Sequence, residues 1–148
     1  MDLFFIPTKA KLTVSIPKRY LDKLPKNICI ATAAQFISQL GALKKFLEEH
    51  GKVVSLVRGK HARFPGQILG CSWAELEFPK ETEAFLYIGD GLFHPKALLL
   101  GSDKIVFIFD PFTKKFTKLT QATVENIRKK SKLGLTTFYH ATDIGVLL

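Results

Sequence analysis

Apolar and polar residues alternate along Lys11-Leu12-Thr13-Val14-Ser15-Ile16, a period-two pattern that predicts a strand over 11–16, closed by Pro17. Residues 20–26 are a lysine-rich connection, so 1–26 as a whole reads as a partly extended N-terminal segment. Asn27-Ile28-Cys29-Ile30-Ala31 is short and almost wholly apolar, the composition of an interior strand. Thr32 and Gln35 then have the spacing of a capping box. Phe36, Ile37, Leu40, Leu43 and Leu47 recur at helical intervals, with Gln39, Lys44, Glu48 and Glu49 mainly on the other side, and Gly51 is placed to end that helix. Residues 53–57 predict the next strand.

Residues 58–79 show no period and predict a long loop with a short helical piece near 72–76. A strand is expected over 84–88, running into Gly89-Asp90-Gly91, and a short helix over 94–100 with Pro95 in its first turn and Gly101 after it. Another strand over 104–109 stops at Asp110-Pro111. Residues 120–139 read as helix, weakened in the second half by Gly134 and Thr136-Thr137, and 145–148 as the beginning of a strand. Apolar strands alternating with helices belong to parallel sheets covered on both faces. The expected fold is therefore α/β: one three-layer α/β/α domain over 1–148 with a mainly parallel, Rossmann-like sheet and a right-handed crossover.

Composition agrees with one well-buried core, since 47% of the residues are hydrophobic and 13 are phenylalanine. No apolar run is long enough to span a bilayer, and the first residues lack a charged leader ahead of an apolar stretch. With two cysteines far apart, neither a disulfide framework nor a close zinc pair is expected, and a reducing, cytoplasmic setting is the default. The net charge of +9 concentrates in 9–26 and in 114–132. Such a field steers acidic partners. No aromatic-interleaved basic module accompanies it, so a solvated lysine surface is expected rather than nucleic-acid binding.

Candidate chemistry is sparse. Ligands in open α/β sheets bind beyond the carboxyl ends of the strands. Three segments are expected there: Thr32 to Gln35, Gly66 to Ser72, and Gly89 to His94. Gly89-Asp90-Gly91 suits a tight turn or a close backbone approach to a ligand, and Asp90 can accept from that ligand or from its own turn. His94 can bind, transfer a proton, or sit satisfied at a helix start. Cys71, between flanking glycines and downstream of Arg58, Lys60 and Arg63, is either an accessible thiol for ligation or a small packed hydrophobe. Cys29 reads as core. Glu75, Glu77, Glu81 and Glu83 read as a solvated edge. Zinc-protease, P-loop and nucleophile-elbow motifs are absent.

Taken in order, Ile30-Ala31-Thr32-Ala33-Ala34-Gln35-Phe36, Gly66-Gln67-Ile68-Leu69-Gly70-Cys71, Tyr87 to Leu98 and Phe109-Asp110-Pro111 resemble the diphthamide synthase family, which acts in the first step of diphthamide biosynthesis. The resemblance implies the middle of three similar α/β domains, each giving one cysteine to a 4Fe-4S cluster. That cluster binds S-adenosylmethionine and transfers a 3-amino-3-carboxypropyl radical to a histidine of elongation factor 2. It implies Cys71 as the metal ligand, and Thr32, Gln35, Gly89, Asp90, Gly91 and His94 around the cofactor. The other cysteines would come from another polypeptide or from a homo-oligomer, because this chain matches one third of a family member. The expectation is a fragment or the product of a split or decayed gene, inactive as a 3-amino-3-carboxypropyl transferase on its own. The alternative is a non-catalytic partner-binding or assembly module that kept the fold without the cluster.

Overall fold

The computed structural model describes residues 8–71 and 74–146. The main sheet contains β1 (Asn27–Thr32), β2 (Val53–Leu56), β5 (Ala84–Ile88), β6 (Ile105–Phe109) and β7 (Phe116–Leu119), and two short strands, β3 (Arg58–Gly59) and β4 (Leu76–Glu77), pair separately. The order across the main sheet is β2-β1-β5-β6-β7. The first four strands are parallel and β7 is antiparallel to β6. Three helices cover it: α1 (Leu40–Glu49), α2 (Phe93–Leu100) and α3 (Gln121–Tyr139).

The strand period sorts the core into two layers. Ile28, Ile30, Ala84, Leu86, Ile88, Phe107 and Phe109 face Leu40, Leu43 and Leu47 of α1. Cys29, Ala31, Phe85, Tyr87, Val106 and Ile108 face Ala97, Leu98 and Leu99 of α2 and Val124 of α3. Because β1 and β5 are buried on both faces, their sequences run apolar without a break. Each fully buried large side chain contributes roughly 1.5–3 kcal/mol relative to exposure. This is the expected three-layer, mainly parallel α/β/α domain.

Several local expectations need correction. Residues 11–16 form no strand, although their alternation is real: Leu12 and Val14 are half-buried, Ile16 is buried, and Lys11, Thr13 and Ser15 are exposed. The segment is a strap tied to the side chain of Gln39, whose Nε2 donates to the Leu12 carbonyl at 2.8 Å and whose Oε1 accepts from the Val14 amide at 2.6 Å. A side chain thus does the work of a ladder partner. A 3-10 turn, Lys18–Lys23, follows.

Thr32 caps no helix. It is the last residue of β1, and its hydroxyl is committed to the carbonyl of Ile88 at 2.6 Å. The chain then makes a 3-10 turn, Ala34–Gln39, before α1 begins at Leu40. The 58–79 stretch is partly ordered by the β3–β4 pair. The short helix expected at 72–76 falls partly on residues 72 and 73, outside the described residues, and Leu76 belongs to β4. Strand β7 was hidden in the sequence by its polar alternation and flanking lysines.

Helix α3 runs through Gly134 and the threonine pair without a break. Thr136 and Thr137 turn their hydroxyls back onto the carbonyls of Lys132 and Leu133 at 2.9 and 3.0 Å, which accommodates them inside the helix. Residues 145 and 146 are in no strand, and the rest of the strand expected there lies outside the described residues. The four glutamates at 75, 77, 81 and 83 are exposed, with Glu75 paired to Lys60 at 2.6 Å.

Candidate functional site

β1 and β5 are neighbours in the sheet, yet the chain leaves them toward opposite faces, from β1 into α1 and from β5 into α2. The loops part at that point and leave a crevice at the carboxyl ends of the two strands. A cavity of about 350 Å³ occupies it, lined by Thr8, Ala33, Ala34, Gln35, Gln67, Ile68, Leu69, Tyr87, Asp90 and His94. Its size falls in the range of small-molecule sites.

Thr32 holds the edge together from within. Besides the bond to Ile88, its amide donates to the Gly66 carbonyl at 2.7 Å and its carbonyl accepts from the Ile68 amide at 3.0 Å. The ends of β1 and β5 and the 66–68 loop are stapled through one fully buried residue. Gly66 makes the loop possible: its φ is +81°, its amide donates to Val57 at 2.7 Å, and a side chain there would collide with Leu40.

The sequence-predicted residues divide by position. Gln35, Asp90 and His94 line the cavity. Thr32, Gly89 and Gly91 do not line it but shape the backbone around it. Gly89, at φ +149°, lets the phenol of Tyr87 lie over the turn, since a side chain at 89 would meet Tyr87 Oη at 2.8 Å. Asp90 is exposed, and His94 is half-buried with its ring nearly parallel to that of Tyr87, centroids 6.3 Å apart.

Gln67 and Tyr87 are among the lining residues not singled out as candidates from the sequence. Gln67 sits inside the glycine-bounded stretch, where its side-chain oxygen accepts from the Arg63 amide at 3.0 Å. Tyr87 had a usable signal: a polar tip in an otherwise aliphatic and phenyl strand, one residue before its end. It is fully buried, and its hydroxyl has no hydrogen-bond partner among the described residues. Burial, and secondarily the charge of Asp90, holds the phenol well above its ordinary pKa.

The cysteines part company as their surroundings differ. Cys29 is 0% exposed in the α2-side core, where burial pushes the thiol up to about 11 against the opposing pull of a hydrogen bond with Ser55. Cys71 is exposed. Its segment is held against the start of α2, for a side chain on Gly70 would run into the ring of Phe93, and Leu69 reaches the cavity. A thiol reagent at neutral pH is expected to titrate Cys71 alone in the native chain and both cysteines in urea. Rapid native modification of both would contradict the burial of Cys29.

Among the described residues no three His, Cys, Asp or Glu side chains gather as a metal site. Iron–sulfur clusters of this kind are held mainly by cysteine thiolates. One exposed thiol and one in the core do not make that donor set, so this chain's residues alone do not fit a cluster. No helix among the described residues is long and apolar enough to cross a membrane.

Comparison with known proteins points one way. The sequence model of the family described as "Putative diphthamide synthesis protein" matches residues 1–148. The 2-(3-amino-3-carboxypropyl)histidine synthase of Pyrococcus horikoshii is 37% identical over 118 residues, covering 76% of this chain and 34% of the relative. Subunit 1 of the human synthase is 33% identical over 88 residues, covering 59% of this chain and 19% of that protein. The crystal structure of Dph2 from Pyrococcus horikoshii superposes with a TM-score of 0.67 at 34% identity, over 82% of this chain and 37% of that one. The structure of Dph2 from Pyrococcus horikoshii with 4Fe-4S cluster gives a TM-score of 0.62 at 38% identity, over 76% and 33%. The chain thus spans about a third of the archaeal relatives it matches. With the family model matching residues 1–148 and the fold superposing on solved relatives, the chain belongs to the diphthamide synthesis protein family.

Proposed function

We propose that this chain serves diphthamide biosynthesis as a partner-binding or assembly module that is not catalytic alone. The observation that carries this reading is the contrast between a packed two-layer core and one accessible thiol among the described residues. Each face of the sheet has its own buried core, and of the two cysteine sulfurs Cys29 is buried and Cys71 exposed. The exposed half of α3 supports it: Leu133, Leu135, Phe138 and Tyr139 are 55–74% exposed on a helix whose buried residue is Val124. Leu135, Phe138 and Tyr139 share one side of the helix, and exposed apolar side chains grouped in this way mark contact surfaces.

A second reading rests on the position of Cys71. An exposed thiol two residues after Leu69 of the cavity wall can join cysteines of another polypeptide, or of further copies, around a shared 4Fe-4S cluster. In that assembly S-adenosylmethionine would occupy the cavity and elongation factor 2 would present its histidine. The bound group would supply the carbon-transfer chemistry, while this chain would contribute one thiolate and the cavity wall.

Cys71→Ser in a complex with the family chain that supplies the remaining domains separates the two. On the module reading, partner affinity and iron content after anaerobic iron and sulfide reconstitution stay as in the unaltered complex. A several-fold fall in iron with the complex intact overturns that reading in favour of the shared cluster. A chain that forms no complex at all overturns both.

A further inference from the structure

Helix α3 outruns the domain that carries it. At 3.6 residues per turn, Val124, Ile127, Leu135 and Phe138 fall along one face. The domain covers only the start of that stripe: Val124 is buried in the α2-side core and Ile127 is half-buried. From Arg128 to Tyr139 every residue is exposed, although Leu135 and Phe138 continue the stripe at 55% exposure each. At 1.5 Å per residue, about 18 Å of helix lacks cover. A helical stretch of this length is marginal in water without packing, and Gly134, Thr136 and Thr137 lower its propensity further. The stripe is a core face continued past its cover.

The cations around the stripe indicate what covers it. Arg128 and Lys132 border it on one side, one turn apart, and Lys130 borders it on the other, while Lys129 lies on the opposite face. The helix carries one acid, Glu125, and none of the four cations is paired with a carboxylate among the described residues. Two such helices facing each other would set like charges together, which argues against a second copy. A nucleic acid is bound by cations gathered on one face, and here an apolar stripe divides them. We infer that the second half of α3 is the docking ridge for an acidic amphipathic helix of a partner protein, whose apolar face covers Leu135 and Phe138 and whose carboxylates reach Arg128, Lys130 and Lys132. This rests on the partner-binding reading above and gives that partner a chemistry. The mode is helix on helix, with an apolar seam inside and opposite charges along its borders.

The test pairs the full chain with the family chain that supplies the remaining domains, and with two synthetic helical peptides. The peptides share one leucine stripe, rimmed with glutamate in the first and with lysine in the second. The variants are Leu135→Asp, the double reversal Arg128→Glu with Lys132→Glu, and Lys129→Glu as the opposite-face control. All four positions are exposed, so melting temperatures are expected to stay nearly level. Leu135→Asp is expected to weaken both the complex and the glutamate-rimmed peptide about 10- to 100-fold, the range for an interface anchor. The double reversal is expected to weaken both several-fold at low salt and to flatten their salt dependence, with Lys129→Glu close to the unaltered chain.

A complex as tight with Leu135→Asp as without it overturns the docking ridge and leaves the partner-binding reading standing. Loss on Leu135→Asp with no effect of the double reversal, or equal binding of the two peptides, overturns the acidic partner. Two other occupants have their own signatures, and either one overturns the inference. The first is a dimer in sedimentation that Leu135→Asp dissolves, and the second is binding of oligouridylate that Lys129→Glu weakens as much as the double reversal does. An unaltered chain that forms no complex with the family chain sinks the partner-binding reading itself, and the role of α3 with it.

Discussion

Phe36→Ala is expected to lower the stability of the domain by about 3–5 kcal/mol, measured as a shift in urea midpoint at unchanged slope. Phe36 is 0% exposed and packs in the α1-side core, with its ring 5.9 Å from that of Phe112. It also sits in the 3-10 turn that follows Ala33, directly beyond the cavity wall of Ala33, Ala34 and Gln35. Small domains hold about 5–15 kcal/mol in total, so this one truncation removes about a fifth or more. The site goes with the core here, because the wall residues have the Phe36 ring as their anchor. A loss under 1 kcal/mol would mean that the turn repacks and that Phe36 anchors nothing.

Gly89→Ala is expected to cost about 2–6 kcal/mol, from two separate sources. The first is backbone conformation: φ is +149°, a region that side-chain-bearing residues rarely enter, at about 1–3 kcal/mol. The second is steric, since the new methyl would meet Tyr87 Oη at 2.8 Å and its ring carbons at 3.0 Å, forcing a fully buried ring to move at about 1–3 kcal/mol. Gly91→Ala is the matched control. Its φ is +68° with open space around it, so backbone strain of about 1–2 kcal/mol is the whole cost. Thermal melts of the two variants side by side check the contrast. Equal losses would show that Tyr87 does not press on the turn.

Much of this architecture could be read from the chain because parallel strands announce themselves. Ile28 to Ala31 and Ala84 to Ile88 are apolar on both faces, and a helical period lies between the first of them and Val53. The edge crevice followed from topology, and Gln35, Asp90 and His94, which lie on two of the three segments expected there, line the cavity, while their role toward a cofactor came from the family resemblance. The misreadings have a common cause: one residue type can serve two hydrogen-bonding tasks. Thr32 has the spacing of a helix cap, but a hydroxyl at a strand end can equally cross to the neighbouring strand, and that choice depends on Ile88, far away in sequence. The 11–16 alternation was satisfied by Gln39, a side-chain partner that no local pattern reveals. Tyr87 was hidden by its own hydrophobicity, since a tyrosine in a buried strand looks like one more aromatic until its oxygen is found without a mate.

The last strand gives the lysine-rich surface a plain purpose. Among the described residues β7 ends the order of the main sheet and no strand pairs with its outer rim of amides and carbonyls, which an extended chain could join. Lys114 and Lys115 lead into it, and Lys118 stands exposed on it. Two copies meeting rim to rim would bring these cations together, and like charge at a strand border discourages such growth into aggregates. The positive field that suggested an acidic partner thus also acts as a guard rail, leaving association to surfaces elsewhere on the domain.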